Sequence, residues 1–170
     1  MDETGSHAGL VRLHARAPRG QRAHGRAPRN RGRTRTTVTA LRLDGCGPGL
    51  VVEGGISTDG FEAYGGHLLA PTLRPGDIVV MDNLQQHRRD RTRELIEARG
   101  AELWLLPAYS PDLNPIEEAF SKLKALLRAA AARTHDALVA AIWAALKAIT
   151  PADALGYFTH CGYPPLAQPA

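Results

Sequence analysis

Three acids in this chain are spaced so that they could work together. Asp82 closes the apolar run Ile78-Val79-Val80-Met81, and Glu117 lies in the first turn of a helix-like segment, with 34 residues between the two. A third acid, Asp2, stands near the amino terminus. Carboxylates at the edge of a sheet commonly hold hard cations through oxygen, and three are the minimum for keeping two metal ions over a phosphodiester. Asn83, beside Asp82, and His87, five residues after it, are auxiliary candidates for positioning a water or a phosphate.

Each candidate also has a plainer reading. Asp82 can cap the turn that follows a strand, and His87 can be an ordinary surface histidine near a helix start. Asn114-Pro115-Ile116-Glu117 has the form of a capping box, with Asn as N-cap, Pro first and Glu third. Helical spacing adds a positional argument for Glu117. Ile116, Phe120, Leu123 and Leu127 form the buried stripe, and Glu117 lies at its edge with Lys124 and Arg128 on the same side. Glu118 is expected to be the solvent-facing neighbour.

The elements that must carry these residues are legible from pattern. Thr36–Leu43 and Leu50–Glu53 are two β-rich runs joined through Asp44-Gly45, as in an antiparallel hairpin. Ser57 or Thr58 caps a helix running to about Leu69. The strand Asp77–Met81, a helix from about Arg89 to Gly100 and the strand Glu102–Leu106 make a parallel crossover. Helices follow over Pro115–Ala131, from Thr134 to about Ile149, and from Pro151. Trp104 and Trp143, both in apolar contexts, are expected in the core. Together these predict an α/β fold: a mixed sheet, hairpin plus parallel strands, flanked by helices.

The 170 residues fit one domain. No apolar run approaches bilayer length, and the start lacks the order of a secretory signal, so no membrane partner and a cytoplasmic location are expected. Cys46 and Cys161 have no metal-site spacing and are expected as free thiols. Net charge is only +4, but it is uneven. Nine arginines (Arg12, Arg16, Arg19, Arg22, Arg26, Arg29, Arg31, Arg33 and Arg35) fall where no acid occurs between Thr4 and Leu43. Proline and glycine in Arg16-Ala17-Pro18-Arg19-Gly20 and Arg26-Ala27-Pro28-Arg29 rule out a long helix there. A basic loop of this kind suits a polyanion, although a solvated loop has the same composition.

Val80-Met81-Asp82-Asn83 with His87, and then Leu106-Pro107-Ala108-Tyr109-Ser110-Pro111-Asp112-Leu113-Asn114-Pro115-Ile116-Glu117, resemble the bacterial insertion-sequence transposases of the mariner superfamily. The resemblance implies a ribonuclease-H-like DDE catalytic domain over residues 1–170, with Asp2, Asp82 and Glu117 as catalytic and metal-binding acids. It implies two Mg²⁺ (or Mn²⁺) ions, cleavage of double-stranded DNA at transposon ends, and joining of the freed 3′ end to target DNA by a homo-oligomer. The nine arginines, Lys124 and Arg128 would hold the DNA. The family's amino-terminal helix-turn-helix module has no counterpart in the sequence given. The first strand is expected to be truncated, with only Met1 left ahead of Asp2. Two other readings stay open: a structure-selective nuclease of the same fold, and an inactive fragment that only binds DNA or a full-length partner.

Overall fold

The computed structural model describes residues 1–83 and 90–163. The first strand, β1 (Asp2–Ser6), pairs antiparallel along its whole length with β2 (Arg35–Thr39), from Asp2 opposite Thr39 to Ser6 opposite Arg35. β2 pairs in turn with β5 (Leu50–Glu53). A small ribbon, β3 (Leu41–Arg42) and β4 (Gly45–Cys46), closes the tip of this hairpin. The strand begins at Asp2, with only Met1 ahead of it, and continues for four more residues. β1 has little strand propensity of its own and is held by full-length backbone pairing with β2, whose three threonines and Val38 favour the strand.

β6 (Ile78–Met81) and β7 (Glu102–Leu105) are parallel and joined through α2 (Asp90–Glu97). The Met1 nitrogen donates to the Val80 carbonyl at 2.7 Å, fastening this pair to the antiparallel sheet beside Asp2. The mixed α/β architecture is thus the expected one, with helices flanking the strands.

The helix starting at Thr58 is shorter than its sequence pattern. α1 (Thr58–Tyr64) loosens into a π-turn over Gly65–Leu69. A Cβ at Gly66 would lie 3.2 Å from Leu95, so glycine lets α2 approach this turn closely. Phe61, Tyr64, Val38, Met81, Ile96 and Leu103 make one hydrophobic cluster.

α3 (Pro115–Ala130) buries the expected stripe, Ile116, Phe120, Leu123 and Leu127. Leu123 and Leu127 meet Leu138, Ile142 and Leu146 of α4 (His135–Lys147) in a second cluster. Thr134 caps α4 by accepting from the Ala137 amide at 3.3 Å. Thr150 and Asp153 form a full capping box on α5 (Pro151–His160).

Neither tryptophan is a core residue. Trp104 is 54 % exposed. Alternation along β7 sends Leu103 inward and Glu102 and Trp104 outward, where the indole donates to Glu102 at 2.9 Å. Trp143 sits on the shoulder of α4, 38 % exposed, against Gly49, where any Cβ would come within 2.9 Å of the ring. Cys46 and Cys161 are free thiols. Among the described residues no single helix is long and apolar enough to cross a membrane.

Candidate active site

Strand alternation sends Asp2, Thr4 and Ser6 to a buried side of β1, near the start of α3. Asp2 is 5 % exposed. Its Oδ1 accepts from the Glu3 amide at 2.8 Å, and its Oδ2 accepts from the Asn114 side-chain amide at 2.9 Å. Burial, opposed by the Glu3 bond and reinforced by the charge of Asp82, pushes the Asp2 carboxyl up to about 6.

Asn114 does not do what its sequence context suggests. It stands at the N-cap of α3, yet its side chain makes no cap bond. The amide is turned to an acid 112 residues earlier in the chain, and the residue is buried at 5 % exposure. The expected capping box therefore does not form. Pro115 lacks an N–H, so one of the orphan donors at this helix start is already missing.

Asp82 immediately follows the last residue of β6, at the carboxyl end of a parallel strand, where ligands gather in such sheets. Asp82, Asn83, Asn114 and Glu117 line one cavity of about 380 Å³, completed by the loop from Leu106 to Pro111. Glu117 is exposed at its rim. Glu118, expected to face solvent, is the more covered of the two, with its carboxylate 3.4 Å from His160 of α5. The packing of α5 beside the first turn of α3 reverses the roles expected from helix geometry alone.

The structure thus brings Asp2 and Asp82 within electrostatic reach, and Asp82 and Glu117 into one cavity. Among the described residues no three His, Cys, Asp or Glu side chains converge on a single cation position. The donor set nevertheless fits a hard divalent ion in kind. Every candidate ligand is a carboxylate oxygen, and Asp2 lies beside an acid whose charge disfavours its own. His87 lies outside the described residues.

The nine arginines divide sharply. Arg12 through Arg33 lie on an exposed arm joining β1 to β2, extended and turned at Pro18–Gln21. Arg133 ties the root of the arm to the helices by donating to the carbonyls of Ala8 (2.8 Å) and Leu10 (3.0 Å). Arg12 and Arg26 of the arm share a cavity wall with Arg128 of α3. Arg35 departs from the expected DNA-facing role. It is 6 % exposed within β2, lies 2.6 Å from Glu53 and donates to His135 Nδ1 at 2.6 Å. Arg33 pairs with the same Glu53 from the surface.

The model of the DDE superfamily endonucleases matches residues 1–139. Among solved structures, the fold resembles a Mos1 transposase paired-end complex with left transposon end, with TM-score 0.69 and 18 % identity over 93 % of this chain and 50 % of that one. A Mos1 mariner paired-end complex with Mn gives 0.64 and 19 % over 94 % and 50 %. The Mos1 transposase catalytic domain with Raltegravir and Mg gives 0.56 and 16 % over 76 % and 69 %. The chain therefore spans about half the length of the paired-end transposase chains it matches. No curated protein matches it.

Proposed function

We propose, from the premise that the chain belongs to the DDE superfamily endonucleases, that residues 1–170 are one transposase catalytic domain. It would cut DNA strands at the ends of an insertion sequence and join the freed 3′ ends to target DNA. The supporting observation is the pairing of Asp82 with Glu117 in one cavity and with Asp2 through their charges.

In this reading Asp2, Asp82 and Glu117 hold two Mg²⁺ or Mn²⁺ ions. When bound, such ions activate the attacking oxygen and stabilise the departing one. Asn114 and the Glu3 amide keep Asp2 oriented by each bonding one carboxylate oxygen, leaving one further lone pair on each oxygen for a cation. Glu117, long and exposed at the rim, is free to turn inward when a cation draws it. Lys124 and Arg128, on the same side of α3, and the arm arginines neutralise phosphates, giving affinity and register rather than sequence reading. The partners are double-stranded DNA of element ends and target, in a multimeric complex in the cytoplasm.

The test is Mn²⁺-dependent nicking of DNA carrying the element's ends. Asp82→Asn and Glu117→Gln should each abolish cleavage while DNA binding persists; full cleavage by either variant removes this site. A second reading, a DNA-binding protein that does not cut, is favoured by the lack of a converged three-acid cluster among the described residues. It requires wild type to bind DNA without cleaving it at any Mn²⁺ concentration.

A further inference from the structure

The loop between β7 and α3 carries an aromatic residue that folding does not explain. Tyr109 is 102 % exposed, whereas Phe61 and Tyr64 are 1 % exposed and Phe120 2 %. Its ring therefore contributes no core packing. Its backbone is also in the left-handed region, at φ 58°. Glycine or asparagine adopts that conformation readily, while a bulky side chain is disfavoured there. Neither burial nor backbone geometry calls for tyrosine at this position.

The loop around it is well fixed. Its start is held by the Leu106 amide donating to Met81 at 2.8 Å. Its end is held by Leu113 to Ser110 (3.2 Å) and Asn114 to Pro111 (2.9 Å). Pro107 and Pro111 restrict the backbone on either side. The ring is thus presented from a stiff arch, which lowers the ordering cost of any contact it makes.

The position of the arch gives the contact its chemistry. Tyr109 belongs to the wall of the cavity that also holds Asp82 and Glu117, whose volume of about 380 Å³ is within the range of small-molecule sites. Among the described residues lining that cavity two are acids and none carries a positive charge. Pro107, Ala108 and Pro111 make the neighbouring wall apolar. A DNA strand reaching the acids meets, among the described lining residues, an aromatic face and an apolar shelf. Strained, exposed residues at such sites are a recognised form of functional compromise.

We propose that Tyr109 is a nucleobase-stacking platform, holding the unpaired base that flanks the phosphodiester presented to Asp82 and Glu117. The proposal rests on the DNA-cutting reading above and adds a base-binding site to it. Stacking on an aromatic face tolerates any base, so the site would grip the strand without reading its sequence. It complements the basic arm, which can hold only the backbone.

The experiment compares the full chain binding a fluorescein-labelled oligothymidylate and an abasic strand of the same length at one salt concentration. Both strands carry the same phosphates, so the difference between them isolates the bases. Wild type, Tyr109→Phe and Tyr109→Trp should prefer the base-bearing strand. Tyr109→Ala and Tyr109→Gly should lose about 5- to 150-fold in affinity for it and nothing for the abasic strand. Tyr109→Gly, which suits the positive φ, should melt no lower than wild type, separating stacking from folding. If Tyr109→Ala binds the base-bearing strand as wild type does, the platform is overturned and the DNA reading stands. If wild type binds neither strand but binds a duplex carrying the element's ends, the platform is overturned and the DNA reading stands; if it binds no DNA at all, both fail.

Discussion

The acid pocket and the arginine arm are built on opposite principles. At the pocket, Asp82 after β6 and Glu117 of α3 line the cavity, and a buried amide–carboxylate bond ties its Asn114 to Asp2 of β1, 112 positions away. In the arm, Arg12 to Arg33 lie in solvent, held chiefly at the root by Arg133. The pocket depends on the fold, so damage there should register in both stability and chemistry. The arm depends on charge alone, so damage there should register in salt dependence and hardly in stability.

The largest effect should come from Asn114→Ala. It strips a buried carboxylate of its side-chain donor and should cost about 2 kcal/mol in urea unfolding. Cleavage should fall with it. Because the Asn114 side chain makes no cap bond, this loss cannot be attributed to helix capping. A cost no larger than that of an ordinary surface substitution would show that the bond to Asp2 does not hold the pocket together.

Next comes a contrast within the arginines themselves. Arg35→Ala removes a buried side chain bonded to His135 and should cost about 2 kcal/mol. Arg33→Ala, on the same Glu53 but at the surface, should leave the melting temperature unchanged. Equal effects would erase the division drawn between β2 and the arm.

The metal-free protein should also respond to pH through Asp2. Its carboxyl is raised to about 6 by burial, so the folded chain binds that proton more tightly than the unfolded chain. The stability this contributes is complete below about pH 4, the ordinary carboxyl range, and disappears as pH rises through about 6. Asp2→Asn should flatten the fall in stability across that window; an unaltered profile would place its origin elsewhere.

The smallest effect on folding belongs to the arm. Replacing Arg16, Arg19 and Arg22 with alanine should change stability by no more than about 0.5 kcal/mol. The slope of log affinity against log salt should decrease by about 0.7–0.9 for each phosphate no longer neutralised. An unchanged slope would take these three residues out of the DNA interface.

Much of this division was legible in the sequence because it is local. A strand ending at Asp82, a helix start near Glu117, the stripe from Ile116 to Leu127 and the Thr134 cap all follow from periodicity and helix-end chemistry. The arm's exposure follows from its proline, glycine and arginine content. What stayed hidden depends on distant partners. Asn114 looks like a cap until Asp2 is placed beside it, and no local pattern announces that bond. Arg35 looks like its neighbours until His135 arrives across the fold. Trp104 looks like core until β7 proves to send that side of the strand outward. The reversal of Glu117 and Glu118 likewise needed the position of α5.

The central claim, that the pocket of Asp2, Asp82 and Glu117 holds divalent cations, is tested most directly by titrating Mn²⁺ into the full chain and following its thermal unfolding. Binding to the folded state alone must raise the melting temperature with concentration. The account predicts such a rise for wild type and its loss in Asp82→Asn. A melting temperature indifferent to Mn²⁺ in wild type, or an equal rise in the variant, would contradict it.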